Sequence, residues 1–321
     1  MNWIARAPLD TVYRRRENDG EPVNDRRLRA QIEAGRIVRI ARGSFVESSA
    51  WNALTPLARH AQRVWEASAR LQRGQVFSHF AAAALHGIDI LGPWPDAIDV
   101  SIASSSGGRS SGGVRRHSRR LGAVASVTWG EHAVTTPLQT TVDLIAAMRF
   151  TDAVAVADQA LWARRPGGAA VDRPALLAAT ADRQGRGAAR AVRAAEFSTS
   201  LADSVRESQS RVLIAVQGFP APELQTCFRL SSGSDAYVDF FWRDHRHIGE
   251  FDGAGKYLDP ALRGGGPPEY AVLAEKDRED DLRRQVSAFS RWRTPALTRP
   301  QRLYDILRSA GLPTARPRPG R

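Results

Sequence analysis

The chain has 321 residues, 42% of them hydrophobic, a single cysteine and a formal net charge of +12. That length exceeds one core and makes two or three domains the expectation, while the lone Cys227, expected as a small buried apolar residue, excludes an internal disulfide. Without an apolar run of roughly 18 residues or a charged-then-apolar start, a cytoplasmic protein with no membrane partner is expected, and the excess of arginine points to an anionic partner such as double-stranded DNA.

Residues 1–55 read as helix, turn, helix, strand, strand, the order of a winged-helix DNA-binding domain. Asn24 or Asp25 can cap a helix through Ala34, and Gly35 can end it. "RIVRIARGSFV" alternates like a hairpin turning at Arg42-Gly43. The expected DNA-binding residues are Arg26, Arg27, Arg29 and Gln31 on the second helix, placed for a major groove, and Arg42 at the tip of the wing, placed for phosphate. The alternative is a solvated basic face.

Residues 60–165 read as a mixed α/β domain. Ser78 is expected to cap an Ala-rich helix ending at Gly87, and "AIDVSIA" alternates as a strand. "TTPLQTTVDLIAAM" starts a helix with Thr136 as N-cap, Pro137 at N1 and Gln139 completing a capping box. No acid lies between Val100 and Gly130, where Arg109, Arg115, Arg116, Arg119 and Arg120 surround "SSSGGRSSGG". That stretch reads as a basic loop near nucleic acid or as a solvated hairpin. His79, His86 and His117 read as structural. Residues 166–203 read as a turn, a basic helix and a linker, and residues 311–321 as a disordered tail.

The third domain, 204–310, carries the chemistry. Val238–Trp242 and His247–Phe251 read as strands joined by a four-residue turn, so that a symmetric hairpin sets Asp239 across from Glu250. Two facing carboxylates repel unless a cation offsets them. Asp252 shares the Glu250 face while Phe251 points to a core, so Asp239, Glu250 and Asp252 form an expected metal set for Mg²⁺ or Mn²⁺. Such a site suits phosphodiester hydrolysis. Lys256 is the expected catalytic ammonium: the chain has only two lysines, Lys256 and Lys276, both close after Glu250, against 44 arginines. Glu207, three residues after Ser204, is either a capping-box partner or an acid reaching the metal site. Val205, Val212, Leu213 and Val216 are expected on one buried face of its helix.

"RVLIAVQGFPAPELQ", "YVDFFWRDHRHIGEFDGAGKY" and "EKDREDDLRRQVSAFSRWR" together resemble the very-short-patch-repair-like branch of PD-(D/E)XK endonuclease domains. The resemblance implies a restriction-endonuclease-like core with Glu207 on its first helix, Asp239 as the motif aspartate and Glu250 as the first member of the E-x-K element, a following helix bearing Lys276 and Arg278, and a strand over 286–292; Asp252 and Lys256 join the expected catalytic set from the residue pattern itself. Asp252 stands where that superfamily usually has lysine, so Lys256 would supply the cation from a neighbouring position. "RRLRAQIEAGRIVRIARGSFV", "FSHFAAAALHGIDILGPWPDAIDVSI" and "TTPLQTTVDLI" are similar to the AbiEi-type antitoxins of type IV toxin–antitoxin systems, which implies DNA binding and a cognate toxin. The expected fold class is therefore α/β, an α+β multidomain chain.

Two functions follow. One is a DNA-binding protein with a Mg²⁺-dependent endonuclease domain, in repair or phage defence. The other is an antitoxin-like transcriptional repressor whose nuclease-fold module does not cut. Nucleotidyl transfer lacks paired acids beside the Gly-Ser stretch, and serine or cysteine hydrolysis lacks an elbow or triad spacing.

Overall fold

The structure, a computed structural model, describes residues 3–14, 25–103, 110, 112–119, 124–253 and 268–320. The chain is mixed α/β and divides into two compact units, Met1–Ser198 and Thr199–Arg321.

In the first unit, β1 (Tyr13–Arg14), α1 (Asp25–Glu33), β2 (Ile37–Ala41) and β3 (Ser44–Glu47) form a three-stranded sheet of order β1-β3-β2 with one helix. The hairpin turns where expected, at Arg42-Gly43, and Gly43 takes φ +77°, a conformation glycine adopts without a Cβ penalty. Ile40, Val46 and Trp51, the last on α2 (Ser48–Ala53), form its core with Leu9 and Val12. No helix occurs within 3–14, a segment that supplies β1 and core side chains; residues 15–24, between it and α1, lie outside the described residues.

Next come α3 (Pro56–Ser68), β4 (Val76–Phe77), α4 (His79–His86), β5 (Ile98–Ala103), β6 (Val114–Arg119), β7 (Ser126–Trp129) and β8 (His132–Thr135). They build a five-stranded sheet of order β6-β5-β4-β8-β7. β5 and β6 run parallel, so the basic stretch between them is a crossover and not the expected hairpin; residues 104–109 of it, with Arg109, and Arg120 lie outside the described residues. Gly87 ends α4 in the left-handed conformation, but the Ser78 hydroxyl bonds His79 Nδ1 (3.0 Å) rather than capping the helix.

The helix α5 (Pro137–Ala147) begins as expected, with Thr136 Oγ1 accepting from Gln139 N at 3.2 Å. The reciprocal half of the capping box is absent, because Thr136 N already donates to Ala125 O. α6 (Phe150–Leu161), α7 (Arg173–Ala181) and α8 (Ala188–Phe197) complete the unit. Residues 166–203 thus hold two helices with buried Leu176, Ala191 and Ala194, not one helix and a linker.

The second unit runs α9 (Val205–Val216), β9 (Glu223–Arg229), β10 (Asp235–Trp242), β11 (His247–Phe251), α10 (Pro268–Gln285), β12 (Ala288–Trp292), α11 (Thr294–Thr298) and α12 (Pro300–Ser309). β9, β10 and β11 form an antiparallel meander, and α10 carries the chain over to β12, which pairs parallel with β11. α9 contributes Ile214 to one core with Phe240, Trp242, Phe251 and Trp292. α10 contributes Leu282 to the other, with Ala236, Val238, Phe241 and Ile248. α9 therefore covers one face of the sheet and α10 the other. Val216 is exposed and Ile214 takes the buried position expected of it, since the apolar stripe of α9 is narrower than its composition suggests.

Two further expectations are corrected here. Cys227 is exposed, on β9 at the free edge of the sheet. Residues 311–320 are not a disordered tail: Leu312 is fully buried in the α9 core, Ala315 N donates to Gly218 O (3.1 Å), and Thr314 Oγ1 donates to Gln217 O (2.6 Å). The tail gives the last carbonyls of α9 the donors that a helix end lacks.

Gly249 shows how tightly this core is filled. A Cβ there would lie 2.7 Å from the Trp292 ring and 2.9 Å from the Trp242 ring. Both indoles are anchored, Trp292 Nε1 to Ser210 Oγ (2.9 Å) and Trp242 Nε1 to Pro220 O (2.7 Å), so neither can yield cheaply. Gly249→Ala is expected to destabilise the second unit by about 1–3 kcal/mol, read as a lower urea midpoint at unchanged slope.

Candidate functional site

The β10–β11 ladder pairs Phe240 with Gly249, Phe241 with Ile248 and Trp242 with His247, the register expected for the symmetric turn. Continued by one step, it sets Asp239 across from Glu250, but the regular ladder stops there. Asp239 uses its side chain instead: Oδ2 accepts from Phe251 N at 2.8 Å, between Glu250 and Asp252.

The cause is a kink shared by two strands. Val238 packs in the α10 core and Phe240 in the α9 core although they are two residues apart, so the alternation of β10 switches face at Asp239. Opposite Asp239, between the pairs Val238–Thr226 and Phe240–Leu224, stands Gln225 with φ +52°. A non-glycine residue in that region is uncommon and locates irregular backbone, which here turns a carboxylate toward the sheet instead of away from it.

From the α9 side, Glu207 approaches Asp239. Its Oε1 accepts from Ser204 Oγ (2.8 Å) and its Oε2 from Asp203 N (2.9 Å) and Gln225 Nε2 (3.3 Å), while Ser204 Oγ caps Glu207 N (3.2 Å). The capping role and the approach to the carboxylate site thus coexist. Burial, with the negative charge of Asp239 second, pushes the Glu207 carboxyl up to about 8. The pair repels when both are ionised and retains a proton near neutrality.

Glu250 and Asp252 have other partners. Glu250 Oε1 accepts from Arg278 (2.8 Å) and Oε2 from Arg291 (2.9 Å), and Arg291 also pairs with Glu279 (2.7 Å). Burial, the largest single influence, would lower both guanidinium groups, but the hydrogen bonds to Glu250 together with the charges of Glu250 and its neighbouring glutamates outweigh it and raise them above the ordinary value. Asp252 Oδ2 is held by Arg293 through Nε (2.7 Å) and Nη2 (2.6 Å). The three acids expected on one face are therefore divided: Glu250 is clamped against α10 and β12, Asp252 is paired with Arg293, and Asp239 turns to Phe251 N and Glu207.

As ligands for a hard divalent cation, Glu207 and Asp239 fit, because their mutual repulsion is what such an ion relieves and one or two carboxylates suffice for Mg²⁺. Glu250, with a guanidinium on each oxygen, does not fit as it stands. Among the described residues no group of three or more His, Cys, Asp or Glu side chains is arranged to hold a metal ion. Lys256 lies outside the described residues, and Lys276 is on α10.

The sequence reading missed Arg291, Arg293 and Gln225. The alternation of "AFSRWR" carries the arginine signal, since Arg291 must face opposite the buried Trp292; the parallel register that sets it beside Glu250 is invisible in sequence. In the first unit, Arg26, Arg27 and Arg29 are exposed on α1, Gln31 is half-buried one turn from Arg27, and Arg42 is exposed at the hairpin tip. No described helix is long and apolar enough to cross a membrane.

No family model matches the chain, and no solved structure matches it. The chain is 31% identical over 144 residues to two uncharacterized proteins of Mycobacterium tuberculosis, Rv2248 of strain H37Rv and MT2308 of strain CDC 1551. The match takes in 44% of this chain and 51% of each relative, so the chain spans about half the length of the curated relatives it matches.

Proposed function

We propose that the protein binds duplex DNA through its first unit and that its second unit is a restriction-endonuclease-like module hydrolysing DNA phosphodiester bonds with Mg²⁺ or Mn²⁺. The observation that carries this reading is the Asp239 carboxylate, turned at a two-strand kink onto the backbone between Glu250 and Asp252. The order helix, three-stranded antiparallel meander, helix, parallel strand supports it, as does Glu207 approaching from α9. Glu207 and Asp239 would hold the ion. When bound, a divalent cation polarises the phosphoryl oxygen and acidifies a water. The chain's own part is positional: Phe251 N fixes Asp239, Asp203 N and Ser204 fix Glu207, and the Arg278–Glu250–Arg291 cluster locks α10 and β12 to β11, the strand whose Phe251 N holds Asp239. Purified protein incubated with supercoiled plasmid should nick it with Mg²⁺ or Mn²⁺ and not with EDTA; intact plasmid under all conditions would overturn the reading.

The paired guanidinium groups on Glu250 favour a second reading, an antitoxin-like repressor that occupies DNA, pairs with a cognate toxin and cuts nothing. Both readings rest DNA binding on α1 and the β2–β3 turn, which would serve as recognition helix and wing. Arg27→Ala with Arg42→Ala should weaken duplex binding about tenfold or more and lower the slope of log K against log salt by about 0.9 for each phosphate no longer neutralised. Fluorescence anisotropy across a salt series reads both quantities, and unchanged binding counts against this surface.

A further inference from the structure

The first unit contains a cleft of about 550 Å³ between the β2–β3 turn, α3 and the start of β5 and β6. Its size falls within the usual range for small-molecule sites. Three arginines line it, Arg42 from the turn and Arg63 and Arg70 from α3 and its C-terminal end, with a single acid, Asp96. Its walls are aliphatic: Ile40, Leu71, Ile98 and Val114.

Two of the arginines are held in place by the chain itself. Arg70 Nη1 donates to Arg42 O (3.0 Å), tying the turn to the helix end. Arg63 lies over the Trp51 ring at 5.7 Å, reaches Asp96 at 3.3 Å, and has a buried Nε with no hydrogen-bond partner. Opposite, Gly112 and Gly113 line the cleft with φ +61° and +77° and open space where a Cβ would stand. The backbone there can be approached closely, and Gly113 is held by Ile98 N donating to its carbonyl at 2.8 Å.

We propose that this cleft binds a nucleoside phosphate. Guanidinium groups suit phosphate oxygens through their planar fork of donors. The aliphatic walls suit the flat apolar faces of a base, and the Asp96 carboxylate can accept from a ribose hydroxyl or a base N–H. A bare anion would use the arginines and leave the walls unused; an apolar ligand would use the walls and leave the arginines unused. Binding here does not require DNA to engage the chain anywhere.

The test is isothermal titration of the full chain with AMP, GMP, adenosine and inorganic phosphate. At least one nucleotide should bind, with adenosine and phosphate each at least about tenfold weaker, because each engages only half of the cleft. Arg63→Ala with Arg70→Ala should lose that binding by about tenfold or more. Because Arg63 also packs on Trp51, Ala41→Trp serves as a second variant: Ala41 lines the cleft, is half-buried, and its replacement fills the space while keeping every charge. Thermal melts identify which variants are folded, and a folded Ala41→Trp that has lost nucleotide supports the site by itself. No binding of either nucleotide, undiminished binding in the folded variants, or phosphate binding as tight as the nucleotide would overturn the assignment.

Discussion

Asp239→Asn should abolish metal-dependent plasmid nicking, lowering the rate by about a thousandfold or more while leaving the second unit folded. The magnitude follows from losing a charged ligand at a centre whose cation contributes several kcal/mol of transition-state stabilisation, with each 1.36 kcal/mol worth a factor of about ten. Asparagine retains an oxygen that can accept from Phe251 N, so the 2.8 Å hydrogen bond that fixes the kink is kept and the charge alone is removed. Far-UV circular dichroism and the melting temperature should match the parent. A folded Asp239→Asn protein that cuts as fast as the parent would sink the nuclease reading and leave the DNA-occupying one.

The second large effect is on stability against pH. Glu207 is raised from an ordinary 4.5 to about 8 by burial and by Asp239. A folded-state carboxyl with a raised pKa binds a proton that the unfolded chain has released, so between those two values stability falls as pH rises. His247 has the opposite sense: burial, then the charge of His245, lowers it to about 4, so its contribution is lost as pH falls through the window from 6.5 to 4. His60, also lowered to about 4 chiefly by burial, and His86, lowered chiefly by burial, act in the same sense as His247, so it is the difference between the parent and Glu207→Gln, taken between pH 6.5 and 8, that isolates the carboxyl. There the parent should lose about 1.4 kcal/mol per pH unit relative to Glu207→Gln, which has no proton to shed. Glutamine keeps an acceptor for Asp203 N, whose bond to Glu207 is 2.9 Å in the parent. Millimolar Mg²⁺ should flatten the slope of the parent and leave the variant unchanged, because a cation between the two carboxylates favours their ionised form. Parallel curves for the two proteins, with and without Mg²⁺, would show that Glu207 and Asp239 do not share a proton.

What was legible in the sequence was local. The Arg42-Gly43 turn, the Thr136 cap and the register of the β10–β11 hairpin each depend on a few adjacent residues whose backbone preferences agree with their surroundings. What was not legible depended on distant pairing. Arg291 meets Glu250 only because α10 returns the chain parallel to β11, and the face switch at Asp239 requires Gln225 on a neighbouring strand to kink at the same level. The Pro/Arg-rich composition of residues 311–320 hid a docked segment, since its anchoring is mostly by backbone groups that every sequence possesses.

The seating of that segment on the end of α9 also bears on how the second unit assembles during synthesis. Gly218 and Gln217 emerge from the ribosome almost a hundred residues before Ala315 and Thr314, which complete their bonding. Until that later stretch is released, the first helix of the unit has an open end and the cavity that Leu312 will fill is exposed to water. The unit therefore closes late, and chaperone engagement during translation should persist until the chain beyond Leu312 has left the exit tunnel.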